Sequence, residues 1–393
     1  MDKSFRSNIW KIYLFQFLIS LHFIGGVIIP FFTDWGGINF TQIMILQSWF
    51  MFWIFFLEVP TGVVADFLGR KHSLILASVI NAVAAIIYSS YPNFFIFLIG
   101  EFLWAMSAAL LSGANEAFVY DTLNKINESE KSKKIFGRME SFHLVGIMIG
   151  ALLGSIIAAQ FGLNIPMFLM VVPLTLAFFV GLFLKEPKTA KSAETKRYIN
   201  ILKGGVKFFY KNKVLKILAI DMIFIGTVSY FMIWFYQLML KQAGIDIIYF
   251  GLVHAAFVLS QILIMNNYER LEEIFGSKRR LIFLSALITG IMFVVGGLTS
   301  FAPIVLLVII VGGGFGLSRR PLFISYMNKY IPSPQRATVL STISMFRRIC
   351  LVVVNPLIGM LVDWSLNYTL IILGTAAIIF SFVSKVEENH LID

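Results

Sequence analysis

Residues 62–74 read GVVADFLGRKHSL, and this short polar stretch separates two long apolar ones. The residues before it, 43–61, read IMILQSWFMFWIFFLEVPT, and the residues after it, 75–88, read ILASVINAVAAIIY. About 20 apolar residues in a helix cross the hydrocarbon core of a bilayer, which is about 30 Å thick. The acid, the glycine and the two bases therefore predict a tight hairpin between two membrane-spanning helices.

The composition of the whole chain points to the same class. The 393 residues are 58% hydrophobic and only 13% charged, with a mean hydropathy of +0.84, whereas an ordinary soluble domain has about 25% charged residues. The first apolar run is too long for the apolar region of a signal peptide, so we expect it to be retained. The runs predict an all-α membrane protein with twelve transmembrane helices near 9–31, 41–65, 72–90, 94–117, 138–160, 164–184, 214–240, 247–267, 280–299, 303–325, 338–361 and 366–385.

The twelve spans divide into two halves of nearly equal length. Residues 1–184 and 214–393 hold six spans each, and residues 185–213 form a basic linker between them. The second part of the linker predicts an amphipathic helix on the membrane surface, with a solvated linker as the alternative. Four apolar residues are spaced there as a helix stripe among lysines: Tyr198, Ile201, Leu202 and Phe209.

Weak internal repeats relate the two halves. ADFLGRKHSL, after the second span, resembles EEIFGSKRRL, after the eighth, and aligns Gly69 with Gly276 and Asp66 with Glu273. FVYDTLNK, after the fourth span, resembles FISYMNKY, after the tenth. Repeats of this kind predict two pseudo-symmetric six-helix bundles, an arrangement found in many secondary transporters.

The positive charges alternate between loops and give an orientation. If the N-terminus with Lys3 and Arg6 is cytoplasmic, the loops on that side hold most of the Lys and Arg, and the opposite loops hold Lys241 and little else. We therefore expect a multi-pass protein of the cell membrane with both termini in the cytoplasm. The formal net charge of +11 is then explained by anionic inner-leaflet lipids as partners, and no nucleic acid is expected.

Twelve spans arranged as six plus six around GVVADFLGRKHSL resemble the major facilitator superfamily. Its signature loop reads roughly G-x-x-x-D-R-x-G-R-[RK], and the matching residues here are Gly62, Asp66, Gly69, Arg70 and Lys71. Phe67 stands where that motif usually has a base. GANEAFVYD at 113–121 and RATVLS at 336–341 also look like stretches of drug-exporter-like members. The resemblance implies a monomeric secondary transporter that works by alternating access, with proton-coupled efflux of drug-like compounds as the expected activity.

The resemblance also implies a gate at the cytoplasmic ends of the helices. Gly62 would let the second span approach a neighbouring helix closely. Asp66 and Arg70 would form a charge network with Asp121 that locks the two halves while the cavity faces outward. The alternative is that Arg70 and Lys71 only hold the loop on the cytoplasmic side.

Several charged residues fall inside the predicted spans. Each costs about 2.5–3.5 kcal/mol at the centre of a lipid-facing helix, so they are expected to face a cavity or one another. Arg319, Arg320, Arg347 and Arg348 are the bases, and Glu58, Glu101 and Asp221 are the acids. From the helical rise, Glu58, Asp221, Arg320 and Arg348 lie about 12–18 Å from the ends of their spans, in the layer where transporter sites usually lie.

Helical spacing places some of these charges with other polar residues. On the eleventh span, Ser341, Ser344 and Asn355 fall within about 60° of Arg348, which favours Arg348 over Arg347 as a cavity residue. On the second span, Gln47 and Met51 share a face with Glu58. The predicted substrate and proton site thus consists of Glu58, Glu101, Asp221, Arg320, Arg348, Gln47, Met51 and Asn355. The alternative for each charge is a structural ion pair between helices.

The substrate stays open at this stage. Abundant Phe and Met suit amphipathic, drug-like molecules, whereas four arginines suit an organic anion or a lipid headgroup. Glu58 and Asp221 are the leading candidates for proton coupling, because burial and a nearby arginine shift a carboxylate pKa in opposite directions. A scramblase or receptor on the same fold is the rival class.

The sequence contains no motif that we recognise as typical of an enzyme or of a metal site. GGGFG at 312–316 is not followed by the Gly-Lys-Ser/Thr of a phosphate loop. The lone Cys350 excludes a disulfide framework, and the five histidines have no metal-ligand spacing. The partners that we expect are therefore a small-molecule substrate, protons and lipids, with no cofactor and no metal. Close helix packing is the expected role of Gly146, Gly150, Gly154 and the GGGFG run.

Overall fold

A computed structural model of the chain describes residues 3–187, 204–332 and 335–392. The regular secondary structure of these residues is helical, with no strand among them. In the first half, six main helices follow one another: α1 Lys3–Ile19, α2 Phe40–Leu68, α3 Arg70–Ser90, α4 Phe94–Lys125, α5 Ser132–Phe161 and α6 Ile165–Leu182. In the second half they are α7 Lys213–Gln242, α8 Phe250–Asn266, α9 Lys278–Leu298, α10 Ala302–Tyr330, α11 Arg336–Trp364 and α12 Leu366–Val383.

Eleven of these helices, within the described part of the chain, are long and apolar enough to cross a membrane. Many of their exposed side chains are large and apolar, such as Phe56, Ile99 and Phe179. Lipid tails are the environment in which such side chains are stable. The chain is an all-α, multi-pass membrane protein, as the composition predicts.

The prediction of one continuous first span over residues 9–31 is wrong. Helix α1 ends at Ile19, and a 3₁₀ turn at Phe23–Gly26 and a π-helical turn at Phe31–Trp35 follow it. The interruption lies where the backbone passes over α5: a Cβ at Gly154 would overlap the carbonyl of Phe23. Backbone contact at this distance replaces the regular helix that the apolar pattern alone indicates.

The glycine stripe on α5 makes the close packing that its spacing predicts. A Cβ at Gly146 would lie 2.7 Å from the carbonyl oxygen of Phe17, and one at Gly150 would lie 2.7 Å from the amide nitrogen of His22. Small residues at every fourth position let two backbones approach in this way. The run at 312–316 packs similarly, since a Cβ at Gly312 would lie 2.7 Å from Met292 Cβ.

The chain forms two compact units. The first is Met1–Ala193 with Ile247–Ala255, and the second is Glu194–Asp246 with Ala256–Asp393. The start of α8 therefore belongs to the first unit, in which the Ser155 hydroxyl donates to the carbonyl of Ile248 at 3.1 Å. The predicted division at 184 and 214 follows sequence alone, whereas the units follow contacts.

The linker helix differs from its prediction. Residues 204–211 are helical, but Phe209 is buried in the core of the second unit instead of lying on a membrane surface. Its ring centroid lies 5.6 Å from that of Phe346 on α11. The other three residues of the predicted stripe, Tyr198, Ile201 and Leu202, lie outside the described residues.

Candidate functional site

The predicted gate residues Arg70 and Asp121 are in contact. Gly69 ends α2 with φ +101° and ψ 151°, and this turn lets α3 begin at Arg70. The Arg70 guanidinium donates to the carboxylate of Asp121 and, at 2.6 Å, to the carbonyl of Ala117. Both side chains are largely buried, with exposed fractions of 23% and 11%. The pair thus joins the start of α3 to the end of α4 within the first unit, and the side chain of Asp66 lies outside the described atoms.

Glu186 is a further residue of this turn that the motif does not contain. Its carboxylate accepts hydrogen bonds from the backbone amides of Arg70 at 2.9 Å and Lys71 at 2.7 Å. Two free amides at the start of a helix are satisfied in this way, and a carboxylate there is favoured by the helix dipole. The signal in the sequence is an acid just after the sixth span, which is repeated as Glu388 just after the twelfth.

The predicted role of Gly62 is wrong. A Cβ at Gly62 would meet none of the described atoms within 4 Å, and the residue is exposed. No close helix approach within the described structure requires a glycine at this position. The backbone does require a glycine at Gly69, because a positive φ disfavours other residues at this position.

The second unit repeats the turn. Gly276 has φ +83°, and α9 begins two residues later at Lys278. Glu388 accepts hydrogen bonds from the amides of Lys278 at 3.2 Å and Arg279 at 2.8 Å. A carboxylate from the segment after the sixth helix of each half therefore caps the third helix of the same half.

The second unit has a hydrogen bond of Tyr326 where the first unit has the ion pair of Asp121 with Arg70. The repeat FVYDTLNK/FISYMNKY aligns Asp121 with Tyr326, and the aligned Phe118 and Phe323 are both fully buried. The Tyr326 hydroxyl donates to Glu272 at 2.9 Å. A hydrogen bond to one charge thus replaces an ion pair, and the two units are not equivalent in their electrostatics.

Asp221 is held in a buried ion pair with Arg319, and it also borders a cavity at the end of α9 and α12. Its Oδ1 lies 2.5 Å from Nη2 of Arg319, and its Oδ2 accepts a hydrogen bond of 2.5 Å from Ser384. The same guanidinium donates to the carbonyl of Ile282 at 2.5 Å and lies over the ring of Phe323. Side-chain exposure of 4% for Arg319 and 3% for Asp221 makes this a buried ion pair between α7 and α10.

The second and fourth helices share a buried polar contact. Gln47 donates to Glu101 at 3.0 Å, and both residues are at most 7% exposed. The two predicted site residues are therefore partners of each other. Met51 and Glu58, farther along α2, are half-buried.

Three arginines of the second unit form what we call the arginine cluster. It consists of Arg320 on α10 with Arg347 and Arg348 on α11. Arg347 interacts electrostatically with both other guanidiniums and with Tyr230 on α7. Arg320 is exposed and the other two are half-buried. The sequence argument selected Arg348 over Arg347, and the structure places both beside Arg320.

Asn355 lies away from any exposed surface. It is fully buried, and neither atom of its amide group has a hydrogen-bond partner among the described residues. Ser341, Ser344 and Arg348, on the same predicted face, are half-buried. The polar stripe of α11 thus extends from a partly exposed region into the core. The 100° step gives the face on which a residue lies, but not whether the residue is exposed or buried.

The N-terminal helix is tied to the loop after α4, close to the gate pair in sequence. Arg6 donates to Glu128 at 2.9 Å, and Lys131 lies 3.0 Å from the same carboxylate. The hydrogen bond from Lys131, with the charge of Arg6, holds the pKa of Glu128 below its usual value. Asn8 also donates to the carbonyl of Lys185 at 2.8 Å. These contacts brace the polar ends of α1, α4 and α6.

Long apolar helices in two units, with ion pairs and arginines inside the spans, define a multi-pass membrane protein. The chain matches the Major Facilitator Superfamily over residues 12–347, and it belongs to that family. An uncharacterized MFS-type transporter of Bacillus subtilis, YxaM, is 20% identical over 344 residues, or 85% of each chain.

Solved transporter structures have the same fold. The nucleoside transporter NupG superposes with a TM-score of 0.78 at 13% identity, covering 97% of this chain and 100% of the other. A POT family transporter in complex with 5-aminolevulinic acid superposes with a TM-score of 0.73 at 15% identity, covering 98% and 96%. At these identities the likeness is one of fold alone.

Proposed function

We propose that this protein is a secondary transporter that moves a small organic anion across the membrane by alternating access. The arginine cluster carries the proposal. Three guanidiniums in one unit repel one another, and each costs about 2.5–3.5 kcal/mol at the depth of a span. An anionic substrate offsets both costs, because planar guanidiniums bind carboxylate and phosphate groups through two parallel hydrogen bonds.

The nature of the cluster also favours an anion over a neutral amphipathic drug. The three arginines come from two helices, and Tyr230 adds a hydroxyl from a third, so several groups converge on one region of one unit. The ligand in one structural neighbour, 5-aminolevulinic acid, carries a carboxylate. The solved structures described above are nucleoside and POT family transporters, so the expected drug export has no support from them.

Proton coupling is assigned here to Glu58. Asp221 is held by Arg319 and Ser384, so this carboxylate already has a buried partner on α10. Glu101 on α4 is buried against Gln47, which lies on α2 together with Glu58. Glu58 is half-buried on α2, and a carboxylate changes its proton affinity when its burial or its neighbouring charges change. Glu58→Gln should abolish flux driven by a pH gradient and preserve exchange without one.

The substrate class can be tested with protein in proteoliposomes and a panel of small carboxylates and phosphate monoesters, each paired with its neutral amide or alcohol. Anions should stabilise the wild-type protein against heat and accelerate counterflow, whereas their neutral partners should not. Arg347→Gln and Arg348→Gln should each weaken anion binding about tenfold or more, because a charged hydrogen bond contributes about 1.5–3 kcal/mol.

Arg270→Gln is the matched control, because Arg270 is an exposed arginine of the same unit and lies outside the cluster. Equal affinity of the Arg347 and Arg348 variants and the wild type would refute the anion site. Selective transport of a neutral partner would refute the substrate class. Binding of anions without any flux would favour the receptor alternative.

A further inference from the structure

A cavity of about 570 Å³ lies in the second unit, at the end of α9 and α12 that carries the basic loops. Three features meet there: the start of α9, the end of α12 and the segment that leads to Glu388. Its lining includes Arg279, Arg280, Phe283, Phe382, Ser384 and Glu388. The arginine cluster is not part of this lining, so the cavity is separate from the proposed transport site.

The charges of the cavity leave two guanidiniums for a ligand. Glu388 is occupied by the backbone amides at the start of α9, and Asp221 is neutralised by Arg319. Arg279 and Arg280 are both exposed side chains. Because Glu388 already satisfies the amides of the helix N-terminus, the arginine side chains are the groups that remain to bind an anion.

Apolar side chains form part of the cavity wall, which also includes Asp221 and Ser381. The rings of Phe283 and Phe382 meet edge to face with centroids 5.2 Å apart, and Phe382 is 68% exposed. Ile282 and Ala286 continue this wall along α9. The cavity thus combines the two arginines at the start of α9 with apolar side chains farther along α9 and at the end of α12.

We propose that this cavity binds the headgroup of an anionic phospholipid, with Arg279 and Arg280 on the phosphate and the acyl chains along Phe283 and Phe382. A forked guanidinium matches a phosphate group, and bases at the membrane surface attract anionic lipids. Inorganic phosphate shares the charge but has no chains for the apolar wall. The amphipathic lining therefore favours the lipid.

The test uses the purified full-length protein in detergent, titrated with phosphatidylglycerol, with phosphatidylcholine of the same chains, and with inorganic phosphate, and read by native mass spectrometry. Phosphatidylglycerol should bind most tightly. Arg279→Gln with Arg280→Gln should weaken it about 30-fold, because each base near an anionic surface contributes a factor of about five. Lys133→Gln with Lys134→Gln is the matched control, since it removes two exposed charges from the first unit, and it should bind like the wild type.

Equal losses in both double variants would overturn the proposal, because the weaker binding would then result from the lower net charge and not from the loss of a site. Equal binding of phosphatidylcholine, or binding of inorganic phosphate as tight as that of the lipid, would also overturn it. Unfolding temperatures without lipid verify that each variant is folded. If the double variant does not fold, the single variants decide, with a loss of about fivefold expected for each and no loss contradicting the site. Transport activity is not a readout, so failure of the transport proposal leaves this result unaffected.

Discussion

Two glycines of the motif at 62–71 differ in what their backbones require. Gly69 has φ +101° and ψ 151°, a region occupied almost only by glycine. Gly62 lies inside helix α2, where a Cβ would meet none of the described atoms within 4 Å. The same residue type is therefore essential at one position and replaceable at the other.

Alanine at each position gives opposite expectations. Gly69→Ala should lower the free energy of unfolding by about 1–3 kcal/mol through backbone strain, and its Cβ would lie 3.0 Å from the Glu186 carboxyl carbon. Gly62→Ala should raise it by about 0.5–1 kcal/mol, because alanine favours a helix. Unfolding in denaturant measures both. Equal effects of the two substitutions would contradict the assignment.

The buried Asp221–Arg319 pair makes a second prediction at the scale of single residues. Asp221→Leu leaves an uncompensated guanidinium in the core and should cost about 3–5 kcal/mol. Adding Arg319→Met should recover most of that loss, because an apolar pair of similar volume often replaces a buried ion pair without cost. Thermal unfolding of the single and double variants measures the difference. A double variant as unstable as the single one would show that other contacts dominate.

The starts of α3 and α9 share two features, although 207 residues separate Gly69 from Gly276. Each is preceded by a glycine with positive φ and capped by a glutamate from the segment after the last helix of its half. The caps close each bundle by joining its third helix to the segment after its sixth. Pseudo-symmetry thus extends from the sequence repeat to hydrogen bonds that the repeat does not contain.

Removing these caps should loosen the first turns of the two helices. Glu186→Gln should cost about 1 kcal/mol, in the range of other helix caps, and speed hydrogen exchange at Arg70 and Lys71. Glu388→Gln should have a smaller effect at Lys278 and Arg279, because its bonds are exposed and one is 3.2 Å long. Each variant is the control for the other helix. Faster exchange in both helices from one substitution would mean global unfolding.

At the scale of the whole molecule, the Arg70–Asp121 pair is a candidate gate. Asp121→Asn keeps the shape but removes the charge that holds Arg70, and the gate hypothesis expects this loss to change the distances between labels in the two units. Spin labels at Lys134→Cys and Lys329→Cys, on a Cys350→Ser background, should report longer distances in this variant. Glu130→Gln, an exposed acid nearby, is the control and should leave the distances unchanged.

Unchanged distances in the Asp121→Asn protein would limit the pair to bracing α3 against α4 within the first unit. The unfolding temperature of the same variant separates the two roles. A gate shifts the distances between the units, whereas a brace lowers the stability of the first unit only.

The orientation of the molecule gives the last prediction. Both termini are expected in the cytoplasm because the basic loops alternate along the chain. On a Cys350→Ser background, Asp2→Cys and His390→Cys should resist a membrane-impermeant maleimide on intact cells, whereas Lys241→Cys should react. Reaction of either terminal cysteine would reverse or break the proposed topology.

Hydropathy and loop charge predicted most of the spans and the basic loops from the sequence alone, because both are local properties. The contact of Arg70 with Asp121 was implied by the family resemblance. Hydropathy misplaced the first span, since its interruption depends on contact with Gly154 on α5.

Only the tertiary structure decided which charges meet. Asp221 pairs with Arg319, which is 98 residues away, and Glu186 binds the amide of Arg70, which is 116 residues away. Arg347 interacts with Arg320 on another helix. A pairing of this kind depends on the rotation and depth of two helices together, to within the few ångströms over which a hydrogen bond forms, and the spacing within each helix gives neither.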